Sequence, residues 1–343
     1  MESKRYIYIL IDIFLKKNEL QNEILEQNGF RPIWLQCNST IAKAEGSRKI
    51  ILSNSILKRT FYLFKEIYIN RKKIHHVEIY PGGRFAIIFS ILCKILNVKI
   101  ICVERGDLLY YHKNGYSFPT RVSMYFTYKI ANVVWYRELY MKEKLKAIGV
   151  KNLTFFHNVT AYPDFTKSTK GTIDFIWVNR LINERFSDWF VDALKNDLFI
   201  DSKNALLGLQ EENYSFQANY LKENKPKNLE IFGYINPQYY YQNASFFVLP
   251  AKIVYANNAL LEAMSYGVVP IVSNAEGTEL IVKNGVNGFV FETYEEFLQC
   301  MIKAHNLSEK EYLSLSNNAK ETIKNDFSVE YYTFELLELY KSI

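Results

Sequence analysis

Short apolar runs alternate along this chain with stretches whose apolar residues recur every three or four positions. In the first half the runs are "YIYILID" (6–12), "RPIWLQC" (31–37), "KIILS" (49–53), "HHVEIY" (75–80), "VKIICVE" (98–104), "NVVWY" (132–136) and "NLTFFHN" (152–158). Between them, residues 20–29, 56–73, 82–96, 117–131 and 137–149 carry helical spacing. This alternation predicts β-α-β units and a parallel sheet with helices on both faces. In 56–73 the spacing of Leu57, Phe61, Phe64, Ile67 and Tyr68 predicts an apolar face opposite a basic one.

A polar stretch at 161–171 ends the first round, and a second begins. "TIDFIWVNRL" (172–181), "NALLGL" (204–209), "NLEIFGY" (228–234), "SFFVLP" (245–250), "VVPIVS" (268–273) and "GFVFE" (288–292) read as strands, again separated by helical segments. The last segment, 328–343, reads as an amphipathic helix. The predicted architecture is α/β: two doubly wound, Rossmann-like parallel-sheet domains facing each other across a cleft. The expected domains are 1–165, 166–327 and a closing helix at 328–343. A length of 343 residues suits two such domains.

Charge adds an asymmetry. Residues 1–165 hold 26 Lys+Arg and 13 Asp+Glu, a net of +13, while the remainder is net −7. An excess of this size predicts that the first half faces an anionic partner, with a solvated basic surface as the plain alternative. Four cysteines without a CxxC spacing (Cys37, Cys93, Cys102 and Cys300) read as reduced residues of a cytoplasmic protein. The most apolar window, from Phe85 to Val103, contains Lys94 and Lys99 and reads as a buried helix followed by a strand, not a membrane span.

The segment "YANNALLEAMSYG" (255–267) poses a question of chemistry. Glu262 sits among Ala259, Leu260, Leu261, Ala263 and Met264, which cover nearly every side of a helix. A carboxylate in such a place needs a partner. In a doubly wound sheet, ligands lie beyond the carboxyl ends of strands, at helix N-termini. With Asn257 or Asn258 as N-cap, Glu262 stands about one turn into the helix, where a carboxylate can accept both hydrogen bonds of a vicinal diol. The alternative is a carboxylate paired with a lysine or an amide.

The order of motifs from Leu249 to Gly288 carries a resemblance. Leu249-Pro250, Leu261-Glu262-Ala263-Met264, Gly267, Pro270-Ile271-Val272-Ser273, Gly277, Glu279-Leu280-Ile281 and Gly285-Val286-Asn287-Gly288 follow the pattern of the GT-B glycosyltransferases, specifically the retaining family 4 group. "WVNRLINERF" (177–186) resembles that family's arginine- and lysine-bearing loop. The resemblance implies that Arg180 and Arg185 grip a donor diphosphate and that Glu262 holds the ribose. It places Gly233, Asn257, Asn258, Ala259 and Leu260 on the donor as well. It further implies a retaining transferase that moves a sugar from a UDP-sugar to a bacterial surface glycan or lipid-linked acceptor. Neither metal nor other cofactor is expected, and nucleic acid is not an expected partner.

The departures concentrate at the sugar half. Val254 stands where the family has a first glutamate, and Tyr255-Ala256-Asn257 where it has Gly-Phe-Gly. Arg105 of "ERGD" occupies the place of a histidine. In the first domain, Gly82, Gly83 and Arg84, together with Glu104, Arg105 and Asp107, follow strands and are candidates for the sugar or acceptor side; Arg105 is also a catalytic candidate. A tight turn at the glycines and an internal Glu–Arg pair are the alternatives. His157 is expected to be structural. Two rival functions stand beside the transferase: a non-catalytic relative that binds nucleotide or glycan as a scaffold, and a dehydrogenase. The absence of GxGxxG after the first strand speaks against the latter. The basic segment 58–73 predicts peripheral contact with anionic lipid at the inner face of the membrane.

Overall fold

The structure, a computed structural model, describes residues 5–11, 16–36, 48–81, 85–104, 117–137, 139, 141–156, 158–209, 216–252, 254 and 257–343. It divides into two compact units, Met1–Phe156 with Glu335–Ile343, and His157–Phe334.

The first unit contains β1 (Arg5–Ile11), α1 (Lys16–Gln27), β2 (Phe30–Gln36), β3 (Arg48–Ile51), α2 (Ile56–Asn70), β4 (Ile74–Ile79) and α3 (Phe85–Ile95). It continues with β5 (Ile100–Val103), α4 (Phe118–Ile130), β6 (Val133–Tyr136), α5 (Met141–Ala147) and β7 (Leu153–Phe155). The seven strands form a parallel sheet in the order β3-β2-β1-β4-β5-β6-β7. Ile7 to Ile11 of β1 are all buried, as expected of a strand covered on both faces. Tyr8 and Leu10 join a core with Leu63 and Ile67 of α2 and Phe89 and Cys93 of α3.

This core corrects the reading of α2. The helix meets the sheet through Leu63 and Ile67, whereas Leu57, Phe61, Phe64 and Tyr68 are exposed. Two polar contacts accompany this rotation. Glu66 accepts a hydrogen bond from the Tyr8 hydroxyl at 2.8 Å, and Arg59 lies over the Phe85 ring while donating to the Ser53 carbonyl.

The second unit contains β8 (Ile173–Val178), α6 (Ser187–Ala193), β9 (Asn204–Leu207), α7 (Phe216–Asn224), β10 (Leu229–Phe232), α8 (Gln238–Asn243) and β11 (Ala244–Leu249). It continues with α9 (Asn258–Ser265), β12 (Val269–Ser273), β13 (Phe289–Phe291), α10 (Tyr294–His305), α11 (Glu309–Asp326) and α12 (Val329–Lys341). Its six-stranded parallel sheet has the order β10-β9-β8-β11-β12-β13. Side chains alternate between two cores. Phe175, Trp177, Phe246 and Val248 pack on one face with α6 and α10, and Ile176, Phe247 and Leu249 on the other with α9. Gly267, just past the end of α9, holds φ +73°, the left-handed conformation that lets a helix stop and turn into β12.

The end of α12 belongs to the first unit. There Tyr340 donates to the fully buried Glu78 of β4, which also accepts from Gln21 at 2.9 Å and lies 3.5 Å from His76. A buried carboxylate survives only with such partners. Cys93, Cys102 and Cys300 are free thiols, the first two buried, and burial pushes those two well above the usual thiol range.

The polar stretch at 161–171 is fastened to the second unit by lysines that donate to main-chain carbonyls. Lys167 donates to Tyr241 and Gln242 at the end of α8 (3.1 and 2.8 Å) and Lys170 to His305 and Leu307 (3.1 and 2.6 Å), while Lys320 reaches back to Phe165. Burial lowers the Lys167 amine from 10.5 to about 8. The unfolded chain therefore holds an extra proton between those values. The contribution of Lys167 to stability rises with pH across that window and is lost as pH falls through 8. Lys167→Met removes both donations and should cost on the order of 1–3 kcal/mol. Denaturant unfolding at pH 7.5 and 9.5 should show the gap between wild type and variant widening at the higher pH.

Candidate active site

Strand order locates the site of the second unit. From β8 the chain progresses through β9 to β10 on one side, then returns so that β11 lies against the other side of β8 and β12 and β13 follow outward. The direction of winding reverses between β8 and β11, and in doubly wound sheets ligands sit beyond the carboxyl ends of the strands at such a reversal.

The loops leaving β8 and β11 are zipped together at this point. Phe186 donates its amide to the Pro250 carbonyl (2.8 Å), Lys252 donates to the Glu184 carbonyl (2.9 Å), and Arg185 pairs with Ala251 in an antiparallel bridge. A second tie lies one step away. The Asn257 side-chain amide donates to the Asn179 side-chain carbonyl at 3.3 Å. Asn257 is the N-cap of α9, its side-chain oxygen accepting from the Leu260 amide at 3.1 Å. The arginine-bearing loop is thus held against the N-terminus of α9. Gly208 makes this packing feasible: its φ is +116°, and a Cβ there would stand 2.2 Å from the Asn179 carbonyl oxygen.

Arg180 is exposed next to Asn179, and Arg185 is partly exposed in the zipped segment. Both belong to the loop that Asn179 and the bridge to Ala251 tie to the start of α9 and the end of β11. The cap takes the Leu260 amide, and the Leu260 side chain is in the core. Asn258 and Ala259 carry the other first-turn amides of α9. Gly233 is exposed just past β10, and its carbonyl accepts from the Gly208 amide.

Glu262 lies one turn into α9, partly exposed, and accepts a hydrogen bond from the Tyr241 hydroxyl at 3.4 Å. Tyr241 and Tyr266 stack at 5.9 Å. Burial, followed by the Glu262 charge, raises both phenols above their ordinary value. Tyr241 therefore stays protonated and donates to the carboxylate. Val254 is fully buried in the core with Leu260, Leu261 and Met264.

Three participants escape a reading by motif. Asn179 precedes Arg180 in what looks like a plain strand end, Tyr241 is one of a run of tyrosines, and Lys252 is a single exposed cation beyond β11, 5.9 Å over the Phe186 ring. Only the exposed lysine two residues after a strand-ending proline carried a usable signal. Asn287 and Gly288, by contrast, serve packing. Asn287 is buried and ties Lys283, Ile281 and Thr322 together.

In the first unit, Gly82, Gly83, Arg84, Arg105 and Asp107 lie outside the described residues, as do His157, Tyr255 and Ala256. Glu104 is described: its side chain is buried and accepts a hydrogen bond from Tyr128 of α4.

Residues 159–322 match the family described as glycosyl transferases group 1. The chain is 30% identical over 179 residues to the UDP-Gal:alpha-D-GlcNAc-diphosphoundecaprenol alpha-1,3-galactosyltransferase of Escherichia coli, covering 50% of this chain and 46% of that one. It is 25% identical over 216 residues to the glycogen synthase of Petrotoga mobilis, covering 56% and 44%. The matches thus span about half the length of these curated relatives. Among solved structures, Anabaena HepE in complex with UDP-glucose superposes with a TM-score of 0.77 at 12% identity, over 98% of this chain and all of that one. The lipopolysaccharide outer core galactosyltransferase WaaB superposes with a TM-score of 0.73 at 13% identity, over 99% and 100%. The chain thus has the GT-B fold, and its second unit carries the match to the glycosyl transferases group 1.

Proposed function

We propose that this protein is a retaining glycosyltransferase that moves a hexosyl group from a UDP-sugar to a bacterial surface glycan or lipid-linked acceptor, working at the cytoplasmic face of the membrane. The observation that carries this reading is the convergence of Arg180, Arg185 and the Asn257-capped start of α9, with Glu262 one turn in, at one switch point. Glycosyl transfer breaks the bond between the anomeric carbon and the diphosphate. Positive charge grows on the sugar ring and negative charge on the leaving phosphate. Arginine forks and helix amides fixed in advance stabilise that phosphate without reorganisation. Glu262, oriented by Tyr241, holds the ribose hydroxyls. In this proposal arginines, not a metal ion, balance the leaving group. Retention of anomeric configuration comes with the family resemblance. The named galactosyltransferase relative supports a UDP-sugar and a lipid-linked acceptor.

A second reading, a non-catalytic member that binds nucleotide without turnover, is favoured by one observation: apolar Val254, sealed in the core, stands where the family pattern has a carboxylate. One experiment separates the two. A panel of UDP- and GDP-sugars is screened by thermal shift, and then by release of free nucleotide with and without lipid-linked saccharide. Stabilisation by UDP together with acceptor-dependent UDP release supports the transferase. Stabilisation without release supports the second reading, and no stabilisation by any nucleotide sinks both.

A further inference from the structure

The outer surface of α2 is unusual for a helix on a folded unit. Leu57 is 82% exposed, Phe61 71%, Tyr68 49% and Phe64 40%, at positions that form one stripe along the helix. Phe64 and Tyr68 stack, and the Arg71 guanidinium covers the Tyr68 ring at 4.2 Å. Exposed Lys58 and Lys65 run alongside the stripe. α2 packs on α3 and α3 on α4, so the three helices form one layer. Exposed Ile91 and Ile95 of α3, and Phe118, Tyr125 and Phe126 of α4, belong to the same layer.

Charge on this layer is almost all of one sign. The helices carry Lys58, Arg59, Lys65, Lys94, Arg121 and Lys129 against a single carboxylate, Glu66, which accepts from Tyr8. Arg71, Lys72 and Lys73 follow immediately after α2. An apolar patch mixed with cations suits the boundary of an anionic bilayer, where rings enter the headgroup region and lysines meet phosphate. A second copy of the chain fits poorly. A two-fold contact through this face would set the lysine row against itself without acidic partners. Among the described residues no helix is long and apolar enough to cross a membrane, which leaves α2, about 22 Å long, to lie in the plane of the interface.

We infer that the α2–α3–α4 face is a docking surface for anionic phospholipid bilayers, with Leu57, Phe61, Phe64 and Tyr68 inserting and Lys58, Lys65 and Arg71–Lys73 binding headgroups. This goes beyond the donor-site reading: the surface is on the first unit and the donor residues are on the second, so either can fail alone.

The test is co-sedimentation with vesicles of phosphatidylcholine alone or mixed with phosphatidylglycerol, at rising salt. Wild type should bind the mixed vesicles at low salt, weaken as screening shortens the reach of the charges, and ignore phosphatidylcholine. Leu57→Gln with Phe61→Gln should lower partitioning roughly tenfold or more at every salt concentration, from the loss of apolar insertion. Lys58→Glu with Lys65→Glu should lower it at least roughly fivefold per site at low salt only. These side chains are exposed, so circular dichroism and UDP affinity should match wild type in both variants. Equal binding to both vesicle types, or none to either, overturns the inference. So does sedimentation velocity showing self-association that Phe61→Gln abolishes, in a protein that does not bind vesicles.

Discussion

Glu262→Ala should leave the protein folded, weaken UDP binding and bring sugar transfer close to zero. The carboxylate is half-buried on a helix whose other sides are core, so its removal opens no large cavity: Leu260, Leu261, Ala263 and Met264 carry the packing. What disappears is a charge-assisted pair of hydrogen bonds to a diol, worth on the order of 1.5–3 kcal/mol, or roughly ten- to a hundredfold in Kd. Tyr241→Phe should give a milder form of the same defect. It keeps the buried ring and its stacking on Tyr266 but removes the hydroxyl that orients the carboxylate. Calorimetric titration with UDP and with uridine reads both variants. UDP affinity unchanged in a folded Glu262→Ala protein would sink the ribose assignment.

Arg180→Ala should act mainly on turnover. Arg180 is exposed and follows Asn179, which is tied to the N-cap of α9; in the proposed reaction the leaving diphosphate gains charge as its bond to the sugar lengthens. An interaction that strengthens in the transition state lowers kcat more than it changes substrate binding. Loss of one such donor typically costs on the order of 100- to 1,000-fold. Arg185→Lys should be gentler, since lysine keeps the charge but not the fork, and the main-chain bridge to Ala251 needs no particular side chain. Steady-state kinetics with UDP affinity measured separately distinguishes the two effects. Normal turnover by both variants would place the phosphate site elsewhere, with Lys252 the next cation to remove.

Both predictions rest on features that differ in how far they could be read beforehand. The alternation of strands and helices, the two-sheet organisation and the order of motifs from Leu249 to Gly288 are local or sequential properties. Continuous apolar runs mark strands covered on both faces, and a period near 3.6 marks helices, whatever the chain does elsewhere. A cap at Asn257 or Asn258, and with it the placement of Glu262 one turn into α9, was legible for the same reason, because a cap bonds to an amide only three residues away; the structure chose Asn257.

What the tertiary structure alone decided involves partners far apart in the chain. Asn179 and Asn257 are 78 residues apart, Tyr241 and Glu262 are 21 apart, and Glu78 meets Tyr340 across 262. No local pattern encodes such pairs, since they follow from strand order and from where the winding reverses. The same limit explains α2. Two apolar stripes run along it, one through Leu63 and Ile67 and one through Leu57, Phe61, Phe64 and Tyr68. Helical periodicity reveals both stripes but not which one turns inward. In the folded unit the Leu63–Ile67 side packs into the core, and Glu66 on Tyr8 and Arg59 over Phe85 are consistent with that rotation, which leaves the aromatic side exposed.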